Sequence, residues 1–145
     1  MARASPNHNQ IAVELAAHGL RATRQRVGVL EALRASNAHP TAASLHRGLA
    51  RKQPSLSLKT VYEVLGSLVG AGLAACVTDG GEPHRYEANS APHYHARCRV
   101  CGALHDLPSS ADSAIRAKAN LPEGFALERI SVVVVGRCAR CENSV

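Results

Sequence analysis

The sequence predicts an α+β fold in two parts, a helical N-terminal half and a smaller α/β C-terminal half. Amphipathic segments, each preceded by a helix-capping residue, fill most of the first 70 residues, and short strand-like stretches follow. Four of the five cysteines form two Cys-x-x-Cys pairs, both beyond residue 97. The 145 residues are 46% hydrophobic but only 3% aromatic. The length therefore suits one domain or two small ones, with a core of Ala, Val and Leu.

The N-terminal half is expected to contain four helices after a flexible arm at residues 1–9. An Asn, Thr or Ser stands at the start of each helix, where its side chain can accept a hydrogen bond from a free backbone N–H. Gly19 ends the first helix, His39-Pro40 separates the second from the third, and Gly70–Gly72 end the fourth. The expected helices run from Asn9 to about His18, Thr23 to about Ala35, Thr41 to before Pro54, and Ser57 to about Gly70. Their buried faces are expected at Ile11, Leu15, Val27, Leu30, Leu33, Leu45, Leu49, Val61, Val64, Leu65 and Leu68.

A hairpin is expected after the fourth helix. Leu73–Thr78 and His84–Glu87 have the composition of strands and flank the turn-forming segment Asp79–Pro83. Helices followed by a two-stranded hairpin are typical of a winged helix-turn-helix, in which the fourth helix here would enter the major groove of DNA. We therefore expect a winged-helix DNA-binding domain over residues 1–87 and a hinge over the short, Pro-terminated segment 88–92.

The remaining residues, 93–145, predict a small α/β domain. We expect strands at Tyr94–Cys98 and Ala103–Leu107, a capped helix around Ser110–Asn120 and a longer strand at Phe125–Val135. A fragment of about 50 residues rarely buries enough apolar surface to fold alone, so a bound metal or oligomerisation is expected to stabilise it.

The charge is unevenly distributed along the chain. Residues 1–59 contain nine Lys and Arg against two acidic residues, a balance of +7, whereas the rest of the chain contains eight against nine. A basic half joined to a nearly neutral half suggests a module that binds a polyanion, although on charge alone a solvated surface is the commoner explanation. No apolar run approaches the roughly 20 residues of a membrane helix, and Met1–Gln10 lacks the apolar core of a secretion signal. A cytoplasmic protein with no membrane partner is expected.

The paired cysteines, Cys98 with Cys101 and Cys138 with Cys141, predict a metal site. Two such pairs supply four thiolates, the ligand set of a closed tetrahedral Zn²⁺ site. Disulfides are disfavoured in a cytosolic protein, and neither pair opens a helix in a βαβ unit, as a thioredoxin-like redox pair would. We therefore expect structural zinc at these four residues. Cys76, alone in the predicted hairpin, is expected to be a small buried hydrophobic residue.

A second group of candidate ligands contains imidazoles and carboxylates. In His93-Tyr94-His95 the two imidazoles lie on the same face of an extended segment, and Asp106 lies in the next strand. Glu87 ends the predicted hairpin, and His39 lies in the helical half. Imidazole and carboxylate together suit Fe²⁺, Mn²⁺ or Zn²⁺, while a solvated strand face would explain the His-x-His pair as readily.

Six motifs, taken in order along the chain, carry a resemblance to a known family. They are Arg21-Ala22-Thr23-Arg24-Gln25-Arg26, His39-Pro40-Thr41, Thr60-Val61-Tyr62, His93-Tyr94-His95, Cys98-x-x-Cys101-Gly102 and Cys138-x-x-Cys141. In this combination the chain resembles the Fur (ferric uptake regulator) family, from about residue 10 to residue 141 without large gaps. Within that family it is most similar to the PerR-type peroxide sensors.

The resemblance implies a homodimeric, metal-activated repressor of transcription, which is not an enzyme, with a winged helix followed by a dimerisation domain. The four paired cysteines would bind the structural zinc. The partner would be double-stranded DNA with a near-palindromic, A/T-rich operator, since each subunit of a dimer reads one half-site. The regulatory Fe²⁺ or Mn²⁺ would be bound by His39, Glu87, His93, His95 and Asp106.

Five residues are expected to contact DNA. Arg21, Arg24 and Lys59 are expected to bind phosphates, and Ser57 and Tyr62 to lie near base edges. Tyr62 is expected against a thymine methyl group, the alternative being a half-buried tyrosine on the helix.

The signal is predicted to be peroxide. Five protein ligands leave a six-coordinate Fe²⁺ with one open position, and the resemblance implies that His39 or His93 gains an oxygen there and releases the metal. Glu87 matches iron-responsive members of the family, whereas Asp106 matches the PerR type. Sensing of iron or manganese by occupancy alone is therefore the alternative. Zinc sensing is a weaker one, because the Cys ligand near the hinge that is usual in that branch is absent.

Two other classes of protein explain less of the sequence. A metalloenzyme would need a general base beside the ligands, and no Glu or His is an obvious candidate. A zinc-stabilised interaction module accounts for the cysteines but leaves the basic half and His39 without a role.

Overall fold

A computed structural model describes residues 7–77, 83–88, 91–109, 120–128 and 130–142 of the chain. The chain divides into two compact units, an N-terminal unit, Met1–Ser90, and a C-terminal unit, Ala91–Val145. The described part of the N-terminal unit contains helices and a two-stranded sheet, and that of the C-terminal unit a three-stranded sheet and a short helix. This is the α+β architecture expected from the sequence.

The elements of the N-terminal unit follow the predicted order. Its helices are α1 (His8–Ala17), α2 (Arg24–Ala35), α3 (Ala42–Leu49) and α4 (Leu58–Gly70), and its strands are β1 (Ala75–Val77) and β2 (Arg85–Glu87).

Three of the four predicted helix caps are confirmed. The side chains of Thr23, Thr41 and Ser57 each accept a hydrogen bond from the backbone N–H three residues on, at 3.3, 3.1 and 3.1 Å. Each bond satisfies one of the backbone donors that a helix start leaves free. Gly19, just beyond α1, has φ +74°, the left-handed conformation that a glycine adopts readily at a helix end.

The predicted start of the first helix is wrong by two residues. The cap is Asn7 rather than Asn9. The Asn7 side chain accepts from the backbone N–H of Gln10 and also from that of Asn9, at 3.4 Å, and the Gln10 side-chain oxygen accepts from the Asn7 N–H at 2.9 Å. This reciprocal pair is a capping box. Residues 7–9 therefore do not belong to a flexible arm, and residues 1–6 lie outside the described part of the chain.

A single apolar core holds the helices together. Every residue expected on a buried helix face is buried, and Val29, Ala42, Leu56, Leu73 and Tyr86 join them. Cys76 is partly buried against the same core, as a small hydrophobic residue would be. Because burial of each large aliphatic side chain is worth about 1.5–3 kcal/mol, this core fixes α4 relative to α2 and α3.

The hairpin is shorter than predicted and is joined to the segment before α3. In β1 and β2, Cys76 pairs with Tyr86 in an antiparallel register. The Tyr86 N–H also donates to the Pro40 carbonyl at 3.0 Å, and Thr41 forms a bridge with Arg85. The predicted turn at residues 79–83 lies outside the described residues except for Pro83.

In the C-terminal unit, β3 (His93–Cys98) is the central strand of a three-stranded sheet. It pairs antiparallel with β4 (Leu104–Pro108) and parallel with β5 (Val133–Gly136), and α5 (Ala139–Glu142) is a single helical turn. The strands predicted at 94–98 and 103–107 are thereby confirmed to within a residue at either end. The helix predicted at 110–120 falls almost wholly outside the described residues.

The long strand predicted at Phe125–Val135 is wrong in extent. Among the described residues from 120 onward, the strand is Val133–Gly136, which pairs with residues 95–98 of β3. Gly124 has φ +76°, and the Phe125 N–H donates to the Pro122 carbonyl at 3.1 Å. Residues 122–125 therefore form a turn, so no strand begins at Phe125.

No helix among the described residues is both long enough and apolar enough to cross a membrane.

Candidate metal centres and nucleic-acid interface

The four paired cysteines meet in the C-terminal unit. Cys98 ends β3, Cys101 follows in the turn to β4, Cys138 follows β5 and Cys141 lies in α5. Their sulfurs all lie within 4.8 Å of one another, and those of Cys101 and Cys138 are 3.7 Å apart. Four sulfurs each about 2.3 Å from one ion at the corners of a tetrahedron would lie about 3.8 Å apart. The spacing therefore fits a closed four-thiolate zinc site.

The thiols of this cluster differ in how readily they ionise. Hydrogen bonds from the backbone N–H groups of Cys101 and then Cys138 lower the pKa of Cys98 to about 5, and the Cys138 N–H lies 3.3 Å from the Cys98 sulfur. The pKa of Cys138 is lowered by the backbone of Cys141, while the side-chain hydrogen bond with Cys138 raises the pKa of Cys141 to about 12. Adjacent thiolates oppose each other's ionisation. A divalent cation is what allows all four to be deprotonated together.

A second group, of two histidines and an aspartate, lies on one face of the same sheet. His93 and His95 are two residues apart on β3, and Asp106 is directly opposite His95 on β4. The Nε2 atoms of the two imidazoles lie 3.1 Å apart, and the Asp106 Oδ1 atom is 3.6 and 3.7 Å from them. Two nitrogens bound at right angles to one ion, each about 2.1 Å from it, would be about 3.0 Å apart.

The protonation of His93 is compatible with metal binding. Its Nδ1 lies 2.7 Å from the Ala91 carbonyl, a contact that requires Nδ1 to carry the hydrogen. In a neutral imidazole the Nε2 lone pair is then directed at the point shared with His95 and Asp106. A backbone carbonyl on the far nitrogen is the usual arrangement behind a metal-bound histidine.

The other two candidate ligands meet in the N-terminal unit. The Nε2 of His39 lies 3.1 Å from the Glu87 carboxylate, and both side chains are nearly buried. His39 precedes α3 and Glu87 ends β2, so the hydrogen bonds that join the hairpin to residues 40 and 41 bring the pair together. His39 has φ +47°, which costs a residue other than glycine free energy.

The side chains expected to contact DNA lie on the surface of the N-terminal unit. Tyr62 is 49% exposed and Lys59 is 86% exposed, both on the first turns of α4. Ser57, the cap of α4, is also exposed, and its hydroxyl lies 2.8 Å from that of Thr60. Arg24 is the exposed first residue of α2. At this exposure Tyr62 is about half-buried on α4, so its position agrees with a base contact and equally with the alternative of a half-buried helix tyrosine.

Two residues support these sites in ways that the sequence does not reveal. The Arg85 guanidinium donates to the carbonyl of His39 at 3.1 Å and so stabilises its left-handed backbone. The side-chain amide of Gln53, which is buried, donates to the carbonyl of Arg24 at 3.1 Å. Both acceptors are backbone groups, which every residue carries, so residue type gives no sign of either contact.

Comparison with known protein families assigns the chain to one of them. Residues 17–135 match the model of the ferric uptake regulator family. The chain belongs to this family. The five N/O ligands, Cys98, Cys101 and the elements from α2 to β2 lie within the matched residues, whereas most of α1 precedes them and Cys138 and Cys141 follow them. The resemblance to the family drawn from the six sequence motifs is confirmed.

Relatives in the ferric uptake regulator family include regulators of two kinds. The transcriptional regulator FurA of Mycobacterium tuberculosis (strain ATCC 25618 / H37Rv) is 35% identical over 136 residues, covering 92% of this chain and 90% of FurA. The peroxide operon regulator of Bacillus subtilis (strain 168) is 33% identical over 125 residues, covering 86% of each chain. The solved ferric uptake regulator of Pseudomonas aeruginosa with manganese is 30% identical, with a TM-score of 0.69, and the match covers 88% of this chain and 96% of that one.

The family establishes the general class of the protein. It is a metal-responsive transcriptional regulator, and its relatives are regulators rather than enzymes, so the metalloenzyme alternative is not retained. Family membership does not distinguish peroxide sensing from iron sensing, because both kinds of regulator occur among the relatives.

Proposed function

We propose that the protein is a homodimeric, metal-dependent repressor that binds operator DNA when Fe²⁺ or Mn²⁺ is bound, and that peroxide relieves the repression. The observation that carries this proposal is the division of the N/O ligands between the units. His39 and Glu87 belong to the unit that contains the exposed α4, and His93, His95 and Asp106 belong to the unit that contains the cysteine cluster. We propose that one regulatory ion takes ligands from both groups.

An ion shared in this way would couple metal binding to DNA binding. Metal affinity and DNA affinity are then linked reciprocally, since each ligand favours the same arrangement of the two units. Moving a two-state equilibrium from 1:99 to 99:1 takes about 5.5 kcal/mol, which a few metal–ligand bonds can supply. The structural zinc would not respond to the signal, because its four thiolates leave no open position.

We propose that peroxide is sensed through oxidation of the imidazole of His39 or His93. A ferrous ion held by these residues would supply redox chemistry toward peroxide: overall, hydrogen peroxide would give one oxygen atom to a ring carbon of the imidazole, oxidising it by two electrons, and would leave as water. An imidazole that gains an oxygen loses basicity as a ligand, and the two groups of ligands would separate. The B. subtilis relative is a peroxide operon regulator, which agrees with this proposal; the alternative is sensing of iron or manganese by occupancy.

On this proposal the protein acts in the cytoplasm, on a near-palindromic, A/T-rich operator. Arg21, Arg24 and Lys59 would bind phosphates, while Ser57 and Tyr62 would lie near base edges. A solved relative, a zinc uptake regulator, is complexed with zinc and DNA, which supports DNA as the partner.

Metal-dependent DNA binding is the property to test first. An operator selected from a random-sequence library in the presence of Mn²⁺ is titrated by gel shift with Mn²⁺ and, separately, with EDTA. Because the apparent Kd scales with the fraction of the binding-competent state, we expect the operator to bind about 100-fold more tightly with Mn²⁺. Equal affinities in Mn²⁺ and EDTA would contradict the proposal.

Two substitutions on the DNA-binding surface are expected to weaken DNA binding in different ways. Arg24→Ala removes a phosphate contact, so operator and random duplex should lose affinity by similar factors. Tyr62→Ala removes a base contact, so it should reduce the ratio of operator to random affinity by about 5- to 150-fold, the equivalent of about 1–3 kcal/mol. Filter-binding titrations on both duplexes measure this, and the reverse pattern would exchange the two roles.

Asp106→Glu is expected to separate metal binding from oxidation. The variant keeps the charge of the ligand but lengthens its side chain by one methylene. DNA binding with Mn²⁺ should remain within a few-fold of the wild type, while DNA release by peroxide with Fe²⁺ becomes slower. A time course of release after peroxide addition measures the rate, and an unchanged rate would show that residue 106 does not influence the reaction.

A further inference from the structure

The turn between α3 and α4, residues 50–57, is held against the start of α2 by two side-chain hydrogen bonds. The Arg24 guanidinium donates to the Lys52 carbonyl at 2.7 Å, and the Gln53 side-chain amide donates to the Arg24 carbonyl at 3.1 Å. The backbone N–H groups of Lys52 and Gln53 both donate to the Leu49 carbonyl, at 3.0 and 2.9 Å, and so continue from the end of α3. The turn therefore has one fixed position relative to α2.

A glycine makes room for this arrangement. A Cβ atom at Gly28, one turn along α2 from Arg24, would overlap the side-chain amide of Gln53. Gln53 is only 8% exposed, although its side chain is polar. A buried amide that satisfies a backbone acceptor contributes to order as well as to stability.

Three exposed cations, two in the α3–α4 turn and one at the start of α2, have no carboxylate partner among the described residues. In the described part of the chain, Lys59 lies 3.8 Å from Glu63 and Arg34 lies 2.6 Å from Glu14. By contrast, no carboxylate among the described residues forms an ion pair with Arg24, Arg51 or Lys52, which are all exposed. Arg24 has five N–H donors, so the bond to the Lys52 carbonyl leaves others for a second acceptor.

The position of the turn directly before α4 indicates that its cations face the phosphates of bound DNA. It leads directly into α4, and the first residues of a recognition helix are those that reach base edges. The segment immediately before such a helix then runs beside the sugar-phosphate backbone. A phosphate diester supplies the anionic oxygens that an ammonium and a guanidinium at fixed positions would bind.

We propose that the α3–α4 turn is a phosphate-binding element in which Lys52 binds one backbone phosphate in each half-site, and that Arg24 and Gln53 position it. This inference rests on the proposed DNA-binding function. It adds a cation, Lys52, and a positioning residue, Gln53, to the expected contact residues. Because phosphates are the same in every sequence, the contact adds affinity but no sequence preference.

The salt dependence of binding tests Lys52. Lys52→Gln should lower the slope of log K against log salt by about 0.9 for each phosphate, or about 1.8 for a dimer, on operator and random duplex alike. Between 50 and 200 mM salt, the wild type should then lose about 12-fold more affinity than the variant. Lys52→Arg is the matched control and should keep the slope of the wild type, with the thermal unfolding midpoint unchanged in both variants. An unchanged slope in Lys52→Gln would overturn the contact.

The positioning role is tested by combining substitutions. Arg24→Lys keeps the charge but replaces the forked group that spans the Lys52 carbonyl and a phosphate. In this background, and in Gln53→Met, Lys52→Gln should lower the slope by less than half as much as in the wild type, because the turn is no longer held. Equal reductions in all backgrounds would overturn positioning by Arg24 and Gln53. If the wild type binds its operator with Mn²⁺ and these slopes do not change, only this inference fails, whereas a wild type that binds no DNA would overturn the proposed function as well.

Discussion

Cys98→Ser is expected to lose the structural zinc, the fold of the C-terminal unit and the dimer together. Cys98 is buried at the end of the central strand β3, and its sulfur accepts the Cys138 N–H at 3.3 Å, so the substitution removes both a metal ligand and a tie between two segments. Binding of structural zinc is worth about 10–16 kcal/mol near pH 7. A whole domain is stable by only about 5–15 kcal/mol. Without the metal, therefore, this small unit is not expected to stay folded.

The zinc content and the mass of the particle in solution measure this outcome. After treatment with EDTA, the wild type should retain about one zinc per chain, because four-thiolate sites are tight, and should sediment as a dimer. Cys76→Ser is the matched control: Cys76 lies outside the cysteine cluster, partly buried against the core of the other unit, so this variant should keep its zinc. A Cys98→Ser variant that remains a folded dimer with undiminished zinc would contradict the assignment.

His39→Asn is expected to give the opposite result, a zinc-bound dimer in which Mn²⁺ no longer strengthens DNA binding. The substitution removes an imidazole from the N-terminal unit and leaves all four cysteines in place. Asparagine is chosen because it tolerates the left-handed backbone at this position, φ +47°, better than alanine does. The tightening of about 100-fold expected of the wild type with Mn²⁺ should fall to a few-fold at most.

Two further variants make the His39 experiment specific. Glu87→Gln keeps a side chain that can hydrogen-bond to His39 but removes the charge, so it should weaken the response to Mn²⁺ without abolishing zinc binding. His18→Asn removes a histidine at the exposed end of α1 and should leave the response unchanged. If His39→Asn responds to Mn²⁺ as the wild type does, His39 is not a regulatory ligand.

The sequence was sufficient to predict those features of the fold and the site that depend on residue type and spacing alone. Thr23, Thr41 and Ser57 could be predicted as caps because each directly precedes an apolar periodicity, and the buried faces follow from that same periodicity. The cysteine cluster could be predicted because two Cys-x-x-Cys pairs have few other uses in one protein.

The features that were missed depend on pairing partners rather than on residue type. Asn7 and Asn9 are equally good candidates for a cap, and only the reciprocal contact with Gln10 decides between them. The chain before Val133 has β-forming residues, but a turn at Gly124 keeps its beginning out of the sheet. The bonds from Arg24 and Arg85 to backbone carbonyls have no counterpart in sequence composition, because any residue could have supplied the acceptor.

The most direct test of peroxide sensing measures DNA release and histidine oxidation in the same samples. Operator complexes formed with Fe²⁺ or with Mn²⁺ are treated with dilute hydrogen peroxide, analysed by gel shift and then digested for mass spectrometry of the peptides that contain His39 and His93. We predict that with Fe²⁺ the DNA is released and one of these peptides gains an oxygen atom, and that with Mn²⁺ neither change occurs. DNA release with both histidines unmodified would point to the cysteines instead, and bound DNA with unmodified histidines would point to a sensor of iron or manganese alone; either result would contradict the account.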